Sequence, residues 1–240
     1  MLQNGSFSEG WDDMPPTSFH LINQQPKGWT LRWLEQGESL FGDGATATGI
    51  PECVHKLSSQ LPPDEQLGGS KALILAGTAT YKFFNSGAAF GGELKQTVTG
   101  LVAGTEAKLI VPIQAHLHGE TDMYGAESGV WINGEGQWAN AQMMGDRKWY
   151  KHESVFTVPD DGTAVIEIRV KSKWPSPKDF FIDGITLDAQ ETTVKPPTPP
   201  ATTNTVRVTI PEGHTMKVWQ DGKDNTVTIT VPPGVIVEQA

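Results

Sequence analysis

The sequence predicts an all-β protein: an antiparallel β-sandwich or jelly roll, with a small C-terminal β appendage behind a Pro/Thr linker. Three observations predict it. Apolar residues recur at every second position. In residues 164–171, Ala164, Ile166, Ile168 and Val170 share one face, and Val165, Glu167, Arg169 and Lys171 share the other. Turn formers separate these runs, as in Pro159-Asp160-Asp161-Gly162 and Asn133-Gly134. No long helical period occurs, and 26 Gly with only 19% charged residues suits a turn-rich β chain. One apolar and one wet face per strand is the pattern of antiparallel sheets. About nine such strands make two packed layers. The wet faces and loops are then where function is expected.

In chain order, residues 2–7 read as a first strand. Trp29, Leu31 and Trp33 alternate after Pro26-Lys27-Gly28, so a strand starts near Gly28. Residues 35–70 are rich in Gly, Pro and Ser and read as long loops, with one helical turn near residues 54–58. Residues 71–84 read as one or two strands broken near Gly77, and residues 90–98 as another. Residues 108–118 give the clearest alternation. Leu109, Val111, Ile113, Ala115 and Leu117 face one way, and Ile110, Pro112, Gln114, His116 and His118 the other. Pro112 cannot donate to a ladder and is expected at an edge or bulge. Residues 128–133 form a strand closed by the hairpin pair Asn133-Gly134. Residues 152–158, 164–171 and 180–187 complete the set.

The 240 residues suit one large β domain or one domain plus an appendage. A core of that size needs no disulfide, and Cys53 is alone, so no intrachain one can form. The net charge of −10 and the lack of a basic stripe argue against a nucleic-acid partner. No apolar run is long enough to span a membrane as a helix. The first residues carry neither a basic region nor an apolar stretch. Either the chain is not exported through a signal peptide or it is a piece of a longer one, and the strand-like start favours the latter.

The main domain is expected over residues 1–189. Residues 190–205, dominated by Pro and Thr, read as an extended linker. Residues 206–240 return to strand pattern, with Asp221-Gly222 as a turn. Such a short tail holds too little core for independent stability. It is expected to pack on the main domain, pair with another chain, or begin a next module.

Several stretches together resemble a known family. Asn4-Gly5-Ser6-Phe7-Ser8-Glu9-Gly10-Trp11 is similar to the opening of carbohydrate-binding modules of families 4, 9 and 22, read as N-G-x-F-E-x-G. Gln96-Thr97-Val98-Thr99-Gly100-Leu101 followed by Ala103-Gly104-Thr105 resembles their Q-x-V-x-G-L-x-x-G-T turn. Residues 149–158 resemble their W-x-x-x-x-x-x-F-x-V segment. Phe180-Phe181-Ile182-Asp183-Gly184-Ile185-Thr186-Leu187 resembles their closing strand. The matches run in family order over residues 3–188. The resemblance implies a jelly roll and a polysaccharide or oligosaccharide ligand rather than a reaction. It also implies an extracellular or cell-surface setting, which the modular linker fits.

Two departures stand out. Ser8 replaces the family Glu, with Glu9 one place later, and Gly184 replaces the second Asp. The resemblance implies a structural calcium shared between first and last strands, with Asp183 and Glu9 as its candidate ligands. Calcium needs six to eight oxygens. Without the ion, Asp183 would simply cap a strand end.

Strand spacing puts His116 and His118 on one face, roughly 6.6 Å apart along the chain. That spacing suits a metal such as zinc, with Glu120 or Asp122 as a third ligand. The preferred reading is that Gln114, His116 and His118 line the face on which the family holds glycan. Neutral amides and imidazoles both donate and accept, as sugar hydroxyls do. Eight Trp supply rings for sugar C–H faces. Trp29 and Trp149 are expected buried. Trp131, Trp138 and Trp174 are the stacking candidates, with Trp11, Tyr81 and Tyr124 behind them. Glu167 and Arg169 can hydrogen-bond ligand or merely pair with each other.

Catalysis lacks its parts. A glycosidase needs two carboxylates about 5 to 9.5 Å apart, and Glu120 with Glu167 or Glu135 with Asp146 are the conceivable pairs. Cys53 and His55 are a weak nucleophile–base pair. The expectation is a non-catalytic glycan-binding domain. An attachment domain of a surface or phage assembly is the alternative, and a polysaccharide hydrolase or lyase ranks third.

Overall fold

The computed structural model describes residues 1–17 and 21–192, and beyond them the strands of the tail. The chain divides into two compact units, Met1–Thr192 and Thr193–Ala240. In order, the first unit contains β1 (Trp11–Asp13), β2 (Gln24–Pro26), β3 (Thr30–Trp33), β4 (Glu52–Leu57), β5 (Ala79–Asn85), β6 (Phe90–Val98), β7 (Glu106–His116), β8 (Ala126–Ile132), β9 (Glu135–Asn140), the helical turn α1 (Ala141–Met144), β10 (Trp149–Thr157), β11 (Ala164–Ser172), β12 (Lys178–Ile182) and β13 (Thr186–Asp188). In the tail, β14 (Val206–Val208) pairs with β17 (Val237–Gln239), and β15 (Lys217–Gln220) with β16 (Val227–Thr230). The expected turn at Asp221-Gly222 lies outside the described residues.

Two sheets carry the main unit. The six-stranded sheet runs β10-β7-β12-β5-β4, with β13 also on β7. The five-stranded sheet runs β3-β6-β11-β8-β9. Their named strand pairs are antiparallel, as the alternation requires. The inward residues of β7 (Ala107, Leu109, Val111, Ile113, Ala115) meet those of β11 (Ala164, Ile166, Ile168, Val170), and all are buried. Phe7, Trp29, Tyr81, Phe83 and Phe180 fill the same core. An antiparallel β-sandwich is thus the observed fold.

Some elements differ from the sequence reading. Residues 2–7 form no strand: Asn4 and Phe7 take positive φ (49° and 52°), folding the segment back so that the buried Phe7 plugs the core. The helical turn expected at residues 54–58 is strand β4, followed by a short 3-10 turn at Ser58–Gln60. Pro112 sits in a central strand, where β7 passes from its pairing with β12 to its pairing with β13. Its missing N–H falls at that joint. The hairpin at Asn133-Gly134 has positive φ at both residues (53° and 86°), the conformation its sequence favours.

Gly92 is required by packing. A Cβ there would run into the Phe83 ring across the core. Gly92→Ala is therefore expected to lose about 2 kcal/mol of unfolding free energy in urea. A loss below about 0.5 kcal/mol would mean the ring has room to shift.

Candidate functional site

Register builds the outer face of the six-stranded sheet from side chains distant in sequence. One cross-strand row is Glu52, Phe84, Asp179 and His116; the next is Val54, Lys82, Phe181, Gln114 and Trp149. Residues from the segment before β5 wall one side: Glu65, Ser70, Lys71 and Leu73 enclose a hollow of about 100 Å³ with Gln114, His116 and Arg147. Trp149, half-buried rather than buried as expected, donates from Nε1 to the Ala72 carbonyl at 2.8 Å.

Hydrogen bonds fix this face. Arg147 Nη1 donates to His116 Nδ1 at 3.1 Å, since a guanidinium can only donate. The other ring nitrogen therefore carries the proton and donates to Gln114 Oε1 at 2.9 Å. Burial, helped by Arg147, lowers the His116 pKa to about 4, so the ring is neutral at neutral pH. His118 lies just past the end of β7, with φ of 50°, and its Nε2 reaches Asp179 Oδ2 at 2.7 Å. Lys82 bridges Glu52 (2.7 Å) and Asp179 (3.7 Å) and lies over the Phe84 ring. Glu120 and Asp122, the expected third ligands beside the histidines, turn elsewhere. Glu120 caps the Thr121 and Asp122 amides, and Asp122 accepts from Tyr124 N and Trp174 Nε1.

The predicted set does not converge on one surface. Trp131, Trp138, Glu167 and Arg169 come together, but on the outer face of the five-stranded sheet. The Arg169 guanidinium lies 4.7 Å from the Trp131 ring centroid, and Trp138 meets Trp131 edge-on at 4.8 Å. Glu167 binds Lys95 and Arg169, each at 2.9 Å. Lys171 lies over Trp138 and pairs with Asp43 and Glu127, both at 3.0 Å. The charged groups of this layer are already paired with one another. Trp174 stands at a third place, a loop end, 41% exposed and joined through Asp122 to the backbone of the 52% exposed Tyr124.

Tyr81, a stacking candidate by sequence, lies in the core instead. It is fully buried, stacks on Phe7 at 5.4 Å, and donates its hydroxyl to the Gln24 carbonyl. No ligand reaches it. The conceivable catalytic carboxylates are held apart by other roles: Glu135 begins β9 in the five-stranded sheet, whereas Asp146 bridges to Ala115 of β7 in the other. Glu120 is tied to Lys178 at a loop end, while Glu167 lies within the ionic layer of the five-stranded sheet. Cys53 is buried, and burial raises its thiol well above the ordinary range.

Asp183 stands at the joint between β12 and β13. Its Oδ2 accepts the Leu75 and Ala76 amides, while buried Oδ1 has no partner among the described residues. Burial raises its pKa to about 7. An orphaned carboxylate oxygen of this kind suits a cation. Glu9 is exposed, and no trio of acidic or imidazole ligands forms around Asp183 among the described residues. A calcium there would take most of its oxygens from backbone, hydroxyls and water.

Asp179, Phe181, Lys82 and Arg147 are the site residues that sequence reasoning missed. Asp179 and Phe181 alternate in a short strand that reads as core, and Arg147 lies in a loop without period.

No family model matches the sequence, and no curated protein does. Solved structures with a similar arrangement include carbohydrate-binding modules. One is TmCBM61 in complex with β-1,4-galactotriose, at 16% identity, covering 79% of this chain and 97% of that one with a TM-score of 0.47. Another is the CBM22-1 xylan-binding domain from Paenibacillus barcinonensis Xyn10C, at 12% identity over 78% and 92% of the two chains, TM-score 0.37. A third is the enzymatically active domain of bacteriophage CBA120 tailspike protein 4, at 11% identity over 68% and 19%, TM-score 0.42. At these scores none of them assigns this chain a ligand.

Proposed function

We propose that the outer face of the six-stranded sheet binds an oligosaccharide or polysaccharide without cleaving it. One observation carries this reading: the half-buried Trp149 ring stands beside the neutral Gln114–His116 pair, which lines a hollow with Arg147. An indole offers a plane for sugar C–H groups, and the amide, imidazole and guanidinium offer donors and acceptors for hydroxyls. The motif resemblance over residues 3–188 points to the same ligand class.

Affinity electrophoresis in soluble β-glucans, xylans and mannans tests this. At least one glycan is expected to retard the protein. Trp149→Ala is expected to weaken that retardation about 10-fold, the loss of one anchoring aromatic. Trp131→Ala, on the opposite face, is expected to leave it unchanged. Loss through Trp131 rather than Trp149 would move the site to the five-stranded sheet, and no retardation on any glycan would end the reading.

We propose further that Asp183 supports a structural calcium. The ion would neutralise the buried carboxylate and pin the β12–β13 joint to the segment at Leu75. Saturating calcium stabilises a folded protein by about 2.7 kcal/mol at a hundredfold excess over Kd. Relative to protein in EGTA, Tm is expected to rise by about 5 °C. Asp183→Asn should show no calcium response; an equal rise in that variant would place the ion elsewhere.

A further inference from the structure

His116, His118 and Asp179 each present one ligand atom, and these atoms lie within 4.8 Å of one another. Cross-strand register places Asp179 directly opposite His116. The left-handed turn at His118 brings the second imidazole back to Asp179. The two rings stand 6.2 Å apart between centroids. Two imidazole nitrogens and one carboxylate oxygen are a donor set zinc accepts, with the fourth position left to water. We propose that His116, His118 and Asp179 form a binding site for a zinc-class divalent cation.

The surrounding charges permit it. Lys82 and Arg147 flank the site, but Lys82 is paired with Glu52 at 2.7 Å, and Asp146 lies 3.9 Å from Arg147. With Asp179, the acidic groups outnumber the basic ones. A divalent cation thus meets a slightly negative surface.

Arg147 is the obstacle the site must shed. Metal on His116 Nδ1 takes the lone pair that Arg147 now uses. Metal on Nε2 pushes the ring proton to Nδ1, where it faces the guanidinium. Either way Arg147 loses its bond to His116. Its side chain is about half exposed, free to swing outward. His118 loses its hydrogen bond to Asp179 and keeps it as a co-ligand, its N–H moving to the other ring nitrogen. Arg147 therefore competes with the metal, an effect that a merely structural histidine pair would not produce.

The test uses the full chain after EDTA treatment and dialysis. Zinc chloride is titrated by calorimetry, and cobalt chloride by visible absorption, which reports a four-coordinate nitrogen–oxygen site. One zinc per chain is expected. His118→Ala should weaken binding by at least about 10-fold, and Arg147→Ala should tighten it several-fold. Binding that survives in the His116→Ala/His118→Ala double variant would overturn the proposal. So would weaker binding in Arg147→Ala, or no heat at a hundred-fold zinc excess. Thermal melts confirm that each variant folds; His118, on the surface, is the substitution least able to unfold the chain. The titration contains no glycan, so its failure leaves the sugar reading standing, and failed retardation leaves the zinc isotherm standing.

Discussion

Acidification from pH 7 to pH 4 is expected to cost the sandwich about 6 kcal/mol through His55 and His152 alone. Both rings are buried, and burial lowers each pKa from 6.5 to about 4. His55 is boxed by Phe7, Trp11 and Tyr81, with its Nε2 buried and without a partner among the described residues. A proton placed there finds no acceptor. His152 has one polar neighbour at Nε2, the Ser128 hydroxyl at 2.8 Å. Between pH 6.5 and 4 the unfolded chain binds protons that the folded chain refuses, so stability falls as pH drops through that window. Asp183, raised to about 7 without a cation, works in the opposite sense, gaining stability as pH falls. A difference measurement removes its contribution. Urea unfolding at pH 7 and 4.5 is compared between the parent chain and His55→Phe/His152→Gln. The parent is expected to lose about 5 kcal/mol more than the double variant across that interval. Equal losses would mean that neither imidazole is held neutral by burial.

Glu120→Ala is expected to cost about 3 kcal/mol or more. Lys178 has no exposed surface, and among the described residues its ammonium meets Glu120 Oε2 at 3.4 Å and the Ser176 hydroxyl. Burial lowers its pKa, and Glu120 is the charge that opposes this. Removing the carboxylate strands a buried cation and frees the Thr121 and Asp122 amides that Glu120 caps. Lys178→Met in the same chain removes the stranded charge, so the double variant should recover much of the loss. Urea titrations of the two single variants and the double one measure the coupling. A Glu120→Ala loss under about 1 kcal/mol, or no recovery in the double variant, would refute the pairing. The experiment also assigns Glu120 a structural duty instead of an acid–base one.

Which residues face outward could be read directly from the chain. A two-residue period needs only local alternation, so Gln114 and His116, or Glu167 and Arg169, could be placed on outward faces without knowing their neighbours; that Gln114 and His116 are nonetheless buried, beneath Arg147 and the segment before β5, could not be read from alternation. The Asn133-Gly134 hairpin was legible for another local reason, since the positive φ values belong to those two residues. Tyr81 stayed ambiguous: β5 is buried on both faces over most of its length, which erases the alternation. Which outward face belongs to which sheet was set by long-range strand pairing. Trp131 and Gln114 look equally exposed in sequence, yet β8 and β7 lie in different layers, so their side chains point away from each other. The same long-range pairing set Asp179 against His116, and a loop without period delivered Arg147 to that ring. Alternation is fixed by bond geometry along one strand, whereas strand partnership is fixed by which apolar faces bury each other across the whole chain.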